Sequence, residues 1–179
     1  MTGTTTTQKR SGHSDIAHEE AREHTLVIGV ENTPGSVDRV VGTLRRRRAI
    51  TRSLTMVERG EQTDRVRITA VVIDSEVGIE HLVEQLRKII DVEQVDVCSN
   101  EQTIVRELAL IKVSYTPDNI KDVIEAGQLF GAYLVEVTKE VATFEITGYP
   151  ERIQDFTEHL QPFGIRDIAR SGRVVMARD

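Results

Sequence analysis

The sequence predicts an α+β fold made of two successive β-α-β-β-α-β units, and three observations carry that reading. From residue 24 onward, apolar residues alternate between strand-like runs and helical spacing in a regular order. The order found in residues 24–99 recurs in residues 103–179. Short polar turns separate the runs. Each unit is then a ferredoxin-like sandwich, an antiparallel four-stranded sheet with helices on one face.

In the first unit, "HTLVIGVE" reads as a mostly buried strand, and Val37, Val40, Val41 and Leu44 follow at helical spacing. "AITRSLTMVE" and "RVRITAVVID" are strands joined by the turn Arg59-Gly60-Glu61-Gln62-Thr63-Asp64. Ile79, Leu82, Val83, Leu86, Ile89 and Ile90 mark a second amphipathic helix, and "VEQVDVCS" closes the unit. Asn100-Glu101-Gln102 is the expected linker. In the second unit, "TIVRELALIKVSY" is a strand, Ile120, Val123, Ile124 and Phe130 mark a helix, and "AYLVEVT" with "VATFEITG" forms a hairpin. Ile153, Phe156 and Leu160 give the last helix before "IRDIARSGRVVMAR". Residues 1–23, Thr-rich and nearly devoid of apolar side chains, are expected to be a disordered tail, with His13 and His18 exposed to solvent.

Composition narrows the function classes. With 39% hydrophobic residues, no Trp and 4% aromatics, the 179-residue chain fits a globular protein with an aliphatic core. A net charge of −6 argues against general affinity for nucleic acid or an anionic membrane. No apolar run is long enough to span a bilayer and no signal-peptide core opens the chain, so the expected location is the cytoplasm. Cys98 is the single cysteine, which excludes an intrachain disulfide and a thiolate metal cluster. It reads as a small core residue, not a nucleophile.

Enzyme motifs are absent: no Gly-x-Gly-x-x-Gly after a strand, no P-loop, no His-Glu-x-x-His and no Gly-x-Ser-x-Gly. His81, His159, Glu80, Glu84, Glu151 and Glu158 fall on the polar sides of predicted helices. The reading is a non-enzyme with no metal site. The run Arg45-Arg46-Arg47-Arg48 sits at the expected C-terminus of the first helix, where cations offset the helix dipole. A contact with an acidic partner surface is the sharper reading of it.

The informative stretch is "VENTPGSVDRVVGTL". A strand runs through Asn32-Thr33-Pro34-Gly35-Ser36 straight into a helix, so unpaired N–H groups and a partial positive charge collect at the turn. That suits a phosphate or an amino-acid carboxylate, and equally a plain helix cap.

"ENTPGSVDRVVGTL", "ITRSLTM", "VRELALIKV" and "GYPERIQDFTEHLQPFGIRDIARSGRVVMAR" together resemble the small regulatory subunit of acetolactate (acetohydroxyacid) synthase over residues 24–178. The resemblance implies an N-terminal ACT domain that binds valine, a C-terminal domain of related fold and a homodimer formed through the ACT domains. It also implies a catalytic partner subunit that carries thiamine diphosphate, magnesium and FAD, with no cofactor in this chain. Asn32, Thr33, Pro34, Gly35, Ser36 and Val37 would form the effector turn: Gly35 and Ser36 offer N–H donors to the carboxylate, and Val37 helps enclose the isopropyl group. The family pattern Arg-Gly-aromatic-Asn-Ile-x-Ser-Leu reads Arg47-Arg48-Ala49-Ile50-Thr51-Arg52-Ser53-Leu54 here. Arg48 replaces the glycine and Ile50 replaces a second effector-contacting asparagine. That departure implies weaker valine binding, a different branched-chain effector such as leucine or isoleucine, or none. Two further classes are a free-standing ACT sensor acting on another enzyme or on transcription, and a ferredoxin-like enzyme or metal-binding module.

Overall fold

The computed structural model describes residues 20–45, 50–58, 64–99 and 101–178. Most of the expected tail, Arg46–Ala49, Arg59–Thr63 and Asn100 lie outside the described residues, and with them most of the arginine run, the position of the replaced glycine and the first hairpin turn. The elements run β1 (Arg22–Glu31), α1 (Ser36–Arg45), β2 (Ile50–Glu58), β3 (Arg65–Asp74), α2 (Glu76–Arg87), β4 (Val92–Cys98), β5 (Thr103–Ser114), α3 (Ile120–Leu129), β6 (Tyr133–Val137), β7 (Val141–Gly148), α4 (Pro150–Leu160), β8 (Ile165–Arg170) and β9 (Val174–Ala177).

The first sheet has the order β2-β3-β1-β4 and is antiparallel throughout. Period-two alternation puts Leu26, Ile28 and Val30 of β1 on the helix face, where they pack with Val40, Leu44, Ile79, Leu82 and Leu86. The second sheet has the order β6-β7-β5-β8 and a core of Ala109, Ile111, Val113, Phe144, Ile146, Ile153 and Phe156. The β-α-β-β-α-β pattern therefore occurs twice, in two successive ferredoxin-like units.

Three details differ from the sequence reading. β1 starts at Arg22, because the ladder to β3 extends to Arg22 opposite Asp74 and Glu23 opposite Ile73. Arg22 and Glu23, expected to lie in the tail, therefore belong to β1. α2 stops at Arg87, where the Lys88 N–H turns back onto the Gln85 carbonyl (3.2 Å) and the Ile89 N–H onto the Leu86 carbonyl (3.1 Å), and Ile90 is 93% exposed instead of joining the helix face. The closing segment is two strands, broken at Gly172 (φ +77°). β8 pairs the second half of β5, while β9 pairs Thr103–Arg106 at its start.

That split joins the two units. Val105 and Val175 pack on Val27 and the half-buried Cys98, on the face of the first sheet that carries no helices. Burial and the Asp96 charge push the Cys98 thiol up, as suits a core thiol. Arg67 Nη2 donates to the Val175 carbonyl (2.7 Å), Arg173 Nη1 donates to Thr25 Oγ1 (2.8 Å), and Arg173 also pairs with Glu23.

β2 is an edge strand with exposed apolar side chains. Leu54 and Met56 lie opposite the buried Ala70 and Ile68, yet they are 39% and 55% exposed. An apolar edge of this kind is a template for another chain.

Candidate functional site

The chain leaves β1 at Glu31 and enters α1 at Ser36. The Ser36 N–H donates to the Thr33 carbonyl (3.0 Å), closing a four-residue turn with Pro34 and Gly35 at its centre. Proline presets φ at the first central position, and Gly35 has the φ of +81° that a type II turn requires at the second. The backbone itself demands glycine there. The Arg39 N–H then donates to the Gly35 carbonyl (3.1 Å), so α1 starts from Gly35.

This corrects the expected role of Ser36, whose N–H closes the turn and is not offered outward. The N–H groups of Gly35, Val37 and Asp38 have no backbone acceptor among the described residues and stand at the positive end of α1. Asn32 is exposed, and its N–H is tied to the Asp64 carbonyl (2.6 Å). Pro34 is exposed, whereas Val37 is half-buried against the first core. Ser36 is fully buried.

A residue that sequence reasoning missed holds the turn in place. Asp91, in the loop between α2 and β4, accepts from Thr33 Oγ1 on one oxygen (2.7 Å) and from Arg39 Nε (2.9 Å) and Nη2 (2.5 Å) on the other. The Thr33 hydroxyl and then the Arg39 guanidinium hold its carboxyl below the usual carboxylate range. Asp91 is 58 residues from Thr33 in sequence, so no local pattern pairs them. For Arg39 a signal exists: it lies one helical turn after Gly35, and helical side chains lean toward the N-terminus.

Ile50 is at the other end of the sheet. It lies opposite Ile73 in β3, which lies opposite Glu23 at the start of β1, whereas the turn follows Glu31. Eight strand residues separate the two ends, about 27 Å. A single chain does not bring Ile50 and the turn together.

Elsewhere, a cleft of about 820 Å³ between the two units is lined by Arg52, Glu107, Asp155, Arg170 and Arg173 among others, and by none of the turn residues. The buried Glu107 in its wall is held by Arg170 through two hydrogen bonds (2.7 and 2.8 Å). Among the described residues, no group of three or more His, Cys, Asp or Glu side chains is placed to hold a metal ion, and no helix is long and apolar enough to cross a membrane.

Comparison with known proteins agrees with this architecture. Residues 32–95 match the ACT domain family model, and residues 106–179 match the model described as small subunit of acetolactate synthase. The chain is 35% identical over 156 residues to the probable acetolactate synthase small subunit of Archaeoglobus fulgidus, covering 87% of this chain and 97% of that one. It is 39% identical over 157 residues to the acetolactate synthase small subunit of Mycobacterium bovis, covering 88% and 93%. The crystal structure of the small subunit from Thermotoga maritima superposes with a TM-score of 0.77 at 29% identity, over 88% of this chain and 98% of that one. With an ACT unit and a second ferredoxin-like unit in the same order, and similarity running through both, the chain belongs to the acetolactate synthase small-subunit family.

Proposed function

We propose that this chain is a non-catalytic regulatory subunit that activates an acetolactate synthase catalytic subunit and makes its activity responsive to valine or a close branched-chain analogue. Thiamine diphosphate, magnesium and FAD belong to the catalytic partner in this reading, and the chain works in the cytoplasm. The observation that carries the effector part is the separation of Ile50 from the turn Asn32–Ser36 in one chain, combined with the uncovered edge β2. Two β2 strands paired antiparallel about Leu54 put Ile50 of one copy opposite Glu58 of the other. Glu58 lies beside Val66 and, through it, Val30, next to the turn. A two-fold dimer thus assembles a site from the turn of one copy and the start of β2 of the other. Val57, Met56 and Leu54 are covered in the same step.

In such a site the carboxylate of the amino acid lies at the start of α1, and Ile50 supplies apolar surface where the family carries an amide. That exchange leaves one polar group of the ligand unmatched, at a cost of roughly 1–3 kcal/mol. Light scattering is expected to give twice the chain mass at micromolar concentration, and Leu54→Lys together with Met56→Lys is expected to give monomers that bind no valine. A wild type that is strictly monomeric would overturn the shared site.

A further inference from the structure

We infer that Arg39 is the cation that receives the carboxylate of the effector, with Asp91 as the positioning residue that holds its guanidinium ready; this rests on the reading of the turn as an effector site. The geometry divides the guanidinium in two. Nε and Nη2 are both fixed on Asp91 Oδ2, while Nη1 has no partner among the described residues. Nη1 lies 3.2 Å from where a Cβ on Gly35 would stand, so it faces the residue that carries one of the open N–H donors. The Arg39 side chain is 47% exposed, so it is reachable from solvent, whereas the Asp91 side chain is 9% exposed and cannot itself greet a ligand.

The same carboxylate that orients Arg39 also takes the Thr33 hydroxyl. Turn and cation are therefore fixed relative to one another before any ligand arrives, which lowers the ordering cost of binding. Arginine is suited to this task because its five N–H donors allow one carboxylate to be held permanently and a second to be bound in the same plane.

The test compares valine with valinamide, which keeps the isopropyl and ammonium groups but has no carboxylate. Calorimetry on the wild-type chain is expected to show at least ~tenfold tighter binding of valine, equivalent to about 1.4 kcal/mol. In Arg39→Gln the ratio is expected to fall at least about threefold below the wild-type value, the remainder being the preference of the α1 N–H groups for a carboxylate, with valinamide binding changed by less than about twofold. Asp91→Asn, which frees the guanidinium, is expected to give an intermediate ratio. A ratio in Arg39→Gln as large as in the wild type would overturn the inference and leave Arg39 only a tie between α1 and the Asp91 loop. A wild type that binds none of valine, leucine and isoleucine would overturn the effector reading, and this inference with it. A measurement on the unmutated chain guards against a variant that fails to fold. Modification by an arginine-directed dicarbonyl, mapped by peptide mass spectrometry, is expected to be blocked at Arg39 by valine and not by valinamide. Equal modification under both conditions would count against the inference.

Discussion

Mixed with a cognate catalytic subunit, the chain is expected to raise acetolactate formation from pyruvate about tenfold or more, and to form none by itself. Tenfold corresponds to about 1.4 kcal/mol of transition-state stabilisation, which a binding partner supplies when it favours the active conformation of the enzyme. The expectation follows from family membership across both units. The measurement is an assay over a series of subunit ratios, with saturation at a fixed stoichiometry. Activity that stays flat across the series would contradict the regulatory role.

Gly35→Asp is expected to weaken the effector response about 100-fold, or ~2.7 kcal/mol, while leaving activation of the catalytic subunit intact. Gly35 sits at φ +81°, and any Cβ there meets Arg39 Nη1 at 3.2 Å. The new carboxylate is thus delivered to the position the ligand carboxylate needs, as a tethered competitor. The backbone also resists, since a side chain in the left-handed region costs about 1–2 kcal/mol. For a chain of this size that lowers the unfolding midpoint by about 2–8 °C, which calorimetric scanning would show. Loss of both activation and effector response would indicate general unfolding instead, and retention of full effector response would exclude the turn.

Much of the fold is legible in the sequence. The alternation of "HTLVIGVE" and the 3.6-residue spacing of Ile79, Leu82, Val83 and Leu86 encode which faces are buried, because burial follows those periods directly. The type II turn was also written in the chain as Pro34-Gly35, and reading the dipeptide as turn chemistry would have shown that Ser36 N–H closes the turn. What local patterns could not convey is anything set by long-range packing. Asp91 meets Thr33 and Arg39 only once α2 has packed beside α1. The break of the closing segment into β8 and β9 depends on the twelve-residue β5, which offers pairing room to both. Ile50 was aligned with the turn residues by resemblance, yet strand direction sends it to the opposite end of the sheet. A sequence motif names the members of a site without saying which copy of the chain provides each.

Mixing two defective chains tests the two-chain site most directly. Gly35→Asp disables the turn, and Ile50→Trp obstructs the start of β2; each homodimer is expected to bind no valine under conditions where the wild type binds. In a mixed dimer, one site takes its turn from the Ile50→Trp chain and its β2 from the Gly35→Asp chain, so both parts are intact. Random exchange of equal amounts makes about half the dimers mixed, with one good site in two, so calorimetry is expected to recover about one quarter of the wild-type sites. No recovered binding, in a mixture that native mass spectrometry shows to contain mixed dimers, would contradict a site shared between two copies.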